Sequence, residues 1–241
     1  MTSITVLTAT LNAAKVIDAL ASDLMGQTDT DFRWMIVDGG STDGTIERLP
    51  PAILPRVDLV RESDFGIYDA LNKGVRRCTS THYLVIGADD RLDSGAIARY
   101  RQLADESDAD IVAASVRDDG RIARPNRGKS WMRGQNAFIS HHSVGTLIRR
   151  SLHDTVGFYS AGLPIAADQL FIKTAIQRGC RVCYAPDFVA GEFSRDGVSS
   201  TRYLATLFEF TLVQMRTEKS RALQLSILLF RLLRHWRRIV R

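Results

Sequence analysis

Short apolar runs and helical apolar stripes alternate through the first half of the chain. Ile4-Thr5-Val6-Leu7 reads as a strand, and Val16, Ile17, Leu20, Ala21 and Leu24 then recur at helical spacing. Phe32 to Val37 gives a second strand, after which Thr42-Asp43-Gly44-Thr45 is expected to open a short helix with Ser41 as its N-cap. Val57 to Val60 is a third strand. Ile67, Ala70, Leu71 and Val75 mark one face of the next helix, and Tyr83 to Ile86 is a fourth strand. A helix over Ala96 to Ala104 leads to a strand at Ile111 to Ala114. Strands alternating with helices predict an α/β fold with a mostly parallel central sheet flanked by helices. Runs that are apolar at nearly every position, such as Trp34 to Val37 and Tyr83 to Ile86, suit strands buried on both faces. Right-handed crossovers gather the ends of such strands on one edge, where open α/β sheets bind their ligands.

The pattern loosens from Arg117 to Asn136, where Gly120, Pro125, Asn126, Gly128 and Gly134 mark loops. It resumes with a strand-like Ser143 to Ile148, a helix over Ala167 to Gln177, and a strand from Val182 to Ala185 that Pro186 ends. At the C-terminal end, Leu225, Leu228, Leu229, Leu232, Leu233 and Trp236 lie along one helical stripe, interleaved with Arg231, Arg234, Arg237, Arg238 and Arg241. Such a helix suits an anionic membrane interface. The alternative is a helix packed on the parent domain with a solvated basic face. The expected organisation is one domain over 1–200, with a nucleotide-binding half to about 110 and an acceptor half over 111–200, followed by a helical, basic amphipathic tail over 201–241.

Bulk properties narrow this picture only at a few points. With 241 residues, 45% of them hydrophobic and 24% charged, the chain has the makeup of a soluble globular domain. The net charge of +5 is concentrated after Arg216, where Glu218 is the one acid. Basic and aromatic residues are not interleaved across the main domain, so no nucleic-acid surface is expected. Three cysteines argue against a disulfide framework and fit a reducing compartment. Cys180 and Cys183 have zinc-ribbon spacing but no second pair, and read as small apolar residues on a buried strand. Met1 is followed by no signal-peptide pattern, and no apolar run reaches the roughly 20 residues of a bilayer span.

Candidate chemistry sits at the strand ends. Val37-Asp38-Gly39-Gly40-Ser41-Thr42-Asp43-Gly44-Thr45 and Gly87-Ala88-Asp89-Asp90 each follow an apolar run. Adjacent carboxylates repel, so Asp89-Asp90 suits a cation; oxygen ligands with room left for phosphate describe Mg²⁺ or Mn²⁺ on a nucleotide diphosphate. The bland reading of the pair is an acidic turn before a helix. Asp38 can accept a hydrogen bond from a base or ribose, with Gly39 and Gly40 allowing close approach, or can be an Asx-turn residue. Asn72 and Lys73 can face a nucleotide, whereas Asp69 and Lys73, four apart, can be a surface ion pair. Asp168 opens a helix and is a candidate base or a plain N-terminal helix acid. His141 and His142 are candidate polar lining or metal ligands.

Taken together, these segments resemble family 2 glycosyltransferases, which have the GT-A fold, from Ile4 to about Ser200. Thr8-Ala9-Thr10-Leu11-Asn12 resembles the family's first strand and turn, and Val37 to Thr45 its nucleotide-binding signature. Asp64-Phe65-Gly66-Ile67-Tyr68-Asp69-Ala70-Leu71-Asn72-Lys73-Gly74 is similar to its second signature, and Gly87 to Asp90 to its metal-binding motif. His141-His142-Ser143 with Arg149-Arg150-Ser151 resembles the acceptor-side block, and Ala166-Ala167-Asp168 the segment that holds the base.

The resemblance implies a GT-A-like, Rossmann-type sheet and an inverting hexosyltransferase that moves a sugar from a UDP, GDP or dTDP donor to a hydroxyl of a saccharide or lipid-linked acceptor. It implies that Asp38 contacts the base or ribose, Asp89 the ribose and Asp90 a Mn²⁺ or Mg²⁺ ion, while Asp168 deprotonates the acceptor. Thr8, Asn12, Gly39, Asn72 and Lys73 would complete the nucleotide-sugar side, and His141 and His142 the acceptor side. Two positions depart from the family pattern: Ala167, where relatives often carry a second acid, and Ala88, where many carry a polar residue. The Gly-Gly-Ser-Thr-Asp and Gly-Ile-Tyr-Asp runs with a short basic tail resemble bacterial enzymes of cell-surface polysaccharide or glycolipid assembly. That implies a cytoplasmic protein, peripheral on the inner face of the plasma membrane, with residues 223–241 on anionic lipid. A sugar-nucleotide nucleotidyltransferase would share the sheet and the acidic ligands but needs an early glycine-rich loop, and Thr8 to Lys15 contains no glycine. A non-enzymatic basic membrane-binding module has only the tail in its support.

Overall fold

The computed structural model describes residues 1–140, 142–194 and 203–234. In chain order the elements are β1 (Ile4–Thr10), α1 (Ile17–Met25), β2 (Phe32–Asp38), β3 (Val57–Arg61), α2 (Ile67–Arg77), β4 (His82–Val85), β5 (Arg91–Leu92), α3 (Ala96–Ser107), β6 (Ile111–Asp118) and β7 (Arg121–Ala123). Then come α4 (Ser130–Arg133), β8 (Thr146–Arg149), α5 (Leu152–Val156), α6 (Ala167–Gln177), β9 (Val182–Glu192), α7 (Tyr203–Thr217) and α8 (Arg221–Arg234).

One sheet runs through all of it, in the order β3-β2-β1-β4-β8-β6-β9-β5, with β7 paired to β6. Strands β3, β2, β1 and β4 are mutually parallel. β8 runs antiparallel to both β4 and β6, and β9 is parallel to β6. Strands β1, β2 and β4 are buried on both faces, as their apolar runs require, whereas the edge strand β3 is half exposed. Ile4, Val6, Trp34 and Ile36 join the core under α1 and α3, and the alternating Leu7, Met35 and Val37 join the core under α2 and α6. The order 3-2-1-4 reverses between β1 and β4, so crossovers diverge there and leave a crevice at the strand ends.

Three expectations are corrected. Thr42 to Thr45 opens no helix, only a turn closed by Arg48 N–H on the Gly44 carbonyl. Ser41 cannot cap it, because its hydroxyl already donates to Asp38 and accepts the Asn12 amide. Pro186 does not end its strand: β9 continues to Glu192. Proline brings no N–H to the ladder, and the register to β6 slips between Ala114 and Ser115 while the Ser115 hydroxyl donates to the Pro186 carbonyl at 2.7 Å. The stretch from Ser143 begins as a 3₁₀ turn and becomes strand only at Thr146.

The C-terminal stretch forms a helical hairpin of α7 and α8. Lys173, buried on α6, donates to Gln214 and, at 2.5 Å, to Glu218, which ties α7 to α6. The Gln224 amide donates to the Trp131 carbonyl and Arg231 to that of Met132, so α8 packs one face on the domain. The leucine stripe is therefore divided. Leu228 and Leu232 are half-buried, while Leu225, Leu229 and Leu233 are exposed together with Phe230. Trp236, Arg237, Arg238 and Arg241 lie outside the described residues, as does His141.

Candidate active site

The turn between β4 and β5 carries the two acids. Gly87 lets them fold back over the chain: a Cβ there would stand 2.8 Å from Asp90 Oδ2 and 2.9 Å from Asp89 Oδ1. Asp90 is buried, its Oδ2 accepting the Gly87 amide at 2.8 Å and its Oδ1 the Ser194 amide at 3.0 Å. Burial pushes its pKa up to about 6, outweighing those two bonds, with the nearby Asp89 adding to the rise. His142 Nδ1 lies 3.8 Å from Asp90 Oδ2, and its ring stacks on Phe193 with centroids 3.9 Å apart. Burial pushes His142 down to about 4, so the ring is neutral at pH 7.

The ends of β1 and β2 adjoin this corner. Asp38 is fully buried and accepts the Ser41 amide and hydroxyl, with Arg61 Nε 3.2 Å from its Oδ2. The Asp64 carboxylate occupies the space beside Gly39, where a Cβ would stand 2.6 Å from Asp64 Oδ2. Asn12 adopts a left-handed φ of 53° and accepts the Thr42 amide at 3.0 Å, bracing the Asp38 loop. Thr8 points into the core instead, where its hydroxyl takes the indole N–H of Trp34 at 3.0 Å.

Across the crevice stands α6 with Asp168 in its first turn, half-buried. Its Oδ1 accepts the Tyr68 hydroxyl at 2.7 Å and its Oδ2 the Gln135 amide at 2.9 Å. The Tyr68 hydroxyl is held protonated: burial first, then the Asp168 charge, push its pKa well above the ordinary tyrosine value. Gln135 is buried, and its Oε1 has no partner among the described residues. Asn72 and Lys73, the two residues of α2 expected at the site, do not line the crevice. Asn72 holds Tyr159 by both backbone groups, Nδ2 donating to the carbonyl and Oδ1 accepting the amide, each at 2.9 Å. Lys73 donates to the Ser63 carbonyl at 2.5 Å and pairs with Asp69 at 3.2 Å, the i, i+4 pair that spacing offered.

A cavity of about 270 Å³ joins the two sides. Asp89, Asp90, His142 and Asp168 all line it, with Tyr68, Gln135 and apolar side chains such as Ile139, Ile148, Ile172 and Phe210. Thr8, Asn12, Asp38, Gly39, Asn72 and Lys73 do not. Tyr68 and Gln135 were not singled out in the sequence: Tyr68 lies within the Gly-Ile-Tyr-Asp run but is uncharged, and Gln135 lies in the loop-rich stretch with no motif around it. Among the described residues no three His, Cys, Asp or Glu side chains form a metal-holding group. The chemistry of the corner nonetheless fits a divalent cation, since two carboxylates converge over Gly87 and one of them is costly to keep ionised without a cation.

The family profile described as "Glycosyl transferase family 2" matches residues 5–171, which takes in every site residue expected from the sequence but not Ile172, Phe193, Ser194 or Phe210. The chain belongs to family 2 of the glycosyl transferases. A PGL/p-HBAD biosynthesis glycosyltransferase of Mycobacterium tuberculosis is 34% identical to this family 2 chain over 170 residues, 66% of the chain and 64% of the relative. The chain thus spans somewhat under two thirds of the length of such relatives. The chondroitin synthase of Escherichia coli is 31% identical over 143 residues, 54% of the chain and 20% of that protein. Among solved structures, the mannosyltransferase PcManGT of Pyrobaculum calidifontis, in complex with GDP-Man and Mn²⁺, superposes with a TM-score of 0.71 at 21% identity, covering 94% of this chain and 68% of that one. S. aureus TarS 1–349 in complex with UDP-GlcNAc gives 0.68 at 19%, covering 97% and 72%. The architecture is the GT-A fold of these glycosyltransferases.

Proposed function

We propose that this family 2 protein moves a sugar from a nucleoside diphosphate donor to an acceptor hydroxyl with inversion, Asp168 acting as base and Asp90 as metal ligand. One observation carries the reading: the Asp168 carboxylate and the Asp89-Asp90 pair, 78 residues or more apart in sequence, line one cavity. The acceptor hydroxyl gives its proton to Asp168 as its oxygen bonds the anomeric carbon, and the bond to the diphosphate breaks on the opposite face, its electron pair leaving with the phosphate oxygen. Tyr68 and Gln135 hold the carboxylate toward the attacking hydroxyl. The unpartnered Gln135 Oε1 receives a second hydroxyl of the substrate. Asp90, with Asp89 beside it, would hold a Mn²⁺ or Mg²⁺ ion, which would supply charge neutralisation for the departing diphosphate. The base and ribose lie over Gly39, beside Asp38, Asn12 and Asp89, while Thr8, Asn72 and Lys73 support the site from behind through Trp34, Tyr159 and Ser63.

The acceptor belongs to glycolipid or cell-surface polysaccharide assembly, a reading supported by the mycobacterial relatives' part in PGL/p-HBAD biosynthesis. No helix among the described residues is long and apolar enough to cross a membrane. The hairpin docks on an anionic bilayer surface instead, through the exposed leucines of α8 and the stretch 121–133, which carries Arg121, Arg124, Arg127, Lys129 and Arg133 and no acid. Calorimetric titration with UDP, GDP and dTDP, with and without Mn²⁺, followed by release of the nucleoside diphosphate from the matching sugar nucleotide, tests the reading. Metal-dependent binding of one nucleotide is expected; no binding of any, with or without Mn²⁺, would overturn it.

A further inference from the structure

We propose that Glu209 on α7 is a positioning residue for Asp168, which makes the C-terminal hairpin part of the active site rather than an appendage. The inference rests on Asp168 being the base.

The backbone that leads into α6 carries the argument. Glu209 Oε2 accepts the amide of Ile165 at 2.8 Å and that of Ala166 at 2.9 Å. Amides at a helix entry have no acceptor within the helix, so a side chain must supply one. A carboxylate does so with charge-assisted bonds, the stronger kind. From the opposite side the Tyr68 hydroxyl lies 2.9 Å from the Ile165 carbonyl and 2.7 Å from Asp168 Oδ1. The segment is therefore held between α2 and α7, and Asp168 follows Ala166 by two residues. A displacement of about 1 Å at a reacting group costs roughly a hundredfold in rate, so the fixity of this short segment sets the fixity of the base.

Glu209 is not what docks α7. Lys173 binds Gln214 and Glu218 further along the helix, and the Gln214 amide donates to the Ser130 and Trp131 carbonyls at 2.9 Å each. Leu207 and Val213 are buried against the domain. With those contacts kept, loss of Glu209 loosens the helix entry and leaves the hairpin in place. Phe210, the next residue, lines the same cavity as Asp168. Glu209 lies beyond the residues that the family profile matches, so the profile carries no information about it.

The test uses the full chain, the nucleotide found by calorimetry and the matching sugar nucleotide. Glu209→Ala is expected to lower kcat for nucleoside diphosphate release about 10- to 100-fold, the effect of losing hydrogen bonds to a charged group. Donor affinity is expected to stay within about twofold, and amide hydrogen exchange to quicken at 165–168. Glu209→Gln keeps an oxygen for both amides and is expected to retain kcat within about threefold. If Glu209→Ala does not fold, Glu209→Asp takes its place: it keeps the charge but draws the oxygen back from the amides, and the same fall in kcat at unchanged donor affinity is expected. Wild-type kcat in the Ala or Asp variant overturns the proposal, as does an equal loss in Glu209→Gln. Asp168→Asn run alongside separates the two readings. Normal turnover of that variant removes the base and with it anything for Glu209 to position, whereas an inactive Asp168→Asn beside a fully active Glu209→Ala overturns the Glu209 inference alone.

Discussion

Asp90 bends back along the chain so that its Oδ2 accepts the amide hydrogen of Gly87, three residues earlier, across 2.8 Å. That bond and the one from Ser194 favour the anion, yet burial, joined by the neighbouring Asp89, lifts the pKa to about 6. A cation that binds Asp90 must displace this proton. Mn²⁺ affinity is therefore expected to be flat above about pH 7 and to fall about tenfold per pH unit below about pH 6. Calorimetry across that range checks it, and an affinity that does not change with pH would contradict the role of Asp90.

A buried histidine produces a slope of its own. His153 Nδ1 faces the Gly157 carbonyl at 3.0 Å, which can only accept, so Nδ1 carries the hydrogen and Nε2 accepts from the Tyr83 hydroxyl at 2.8 Å. Burial pushes its pKa from 6.5 down to about 4. The unfolded chain takes a proton at His153 near its ordinary pKa while the folded chain refuses it, so stability is lost as pH falls from about 6.5 toward 4, by about 3 kcal/mol. Asp90 acts oppositely, because the folded form keeps a proton that the unfolded form has released. Urea unfolding of His153→Phe at several pH values is expected to show that much less loss in acid than wild type. Equal slopes in the two proteins would contradict this account of His153.

Asn72 is structural in this fold. Asn72→Ala removes both buried bonds to Tyr159 and is expected to lower stability by about 2–4 kcal/mol with nucleotide affinity unchanged at a permissive temperature. A loss of nucleotide affinity without a loss of stability would return Asn72 to the donor site.

On α8, Leu229 and Leu233 are 58% and 67% exposed, so replacing both with Glu should leave the melting temperature nearly unchanged. The double variant should fail to sediment with vesicles containing phosphatidylglycerol that carry the wild-type chain down. Equal sedimentation would remove the hairpin as a membrane contact.

How far the sequence reached follows from what each feature depends on. Strands β1, β2 and β4 were legible because burial on both faces imposes an apolar run, and the acids after β4 and at the start of α6 stood out against such local patterns. The bond that Thr8 makes could not be read locally, because its partner, the Trp34 indole, is 26 residues away on a neighbouring strand. Asn72 and Lys73 sit in a motif that suggests ligand binding, but their partners depend on how α2 docks, which no local spacing encodes. The surroundings of Asp168 were invisible for the same reason: Gln135, Tyr68 and Glu209 reach it or its helix entry from 33, 100 and 43 residues away. The continuation of β9 past Pro186 needed the bulge against β6 to be seen first.

The measurement that bears most directly on the central claim is turnover of Asp168→Asn beside its donor affinity. The amide keeps the size of the side chain and its hydrogen-bonding capacity toward Tyr68 but cannot take the acceptor's proton. Nucleoside diphosphate release is expected to fall by about a hundredfold or more while calorimetric affinity for the donor nucleotide with Mn²⁺ stays within about twofold. Release at the wild-type rate would contradict the assignment of the base, and with it the picture of one cavity working from both walls.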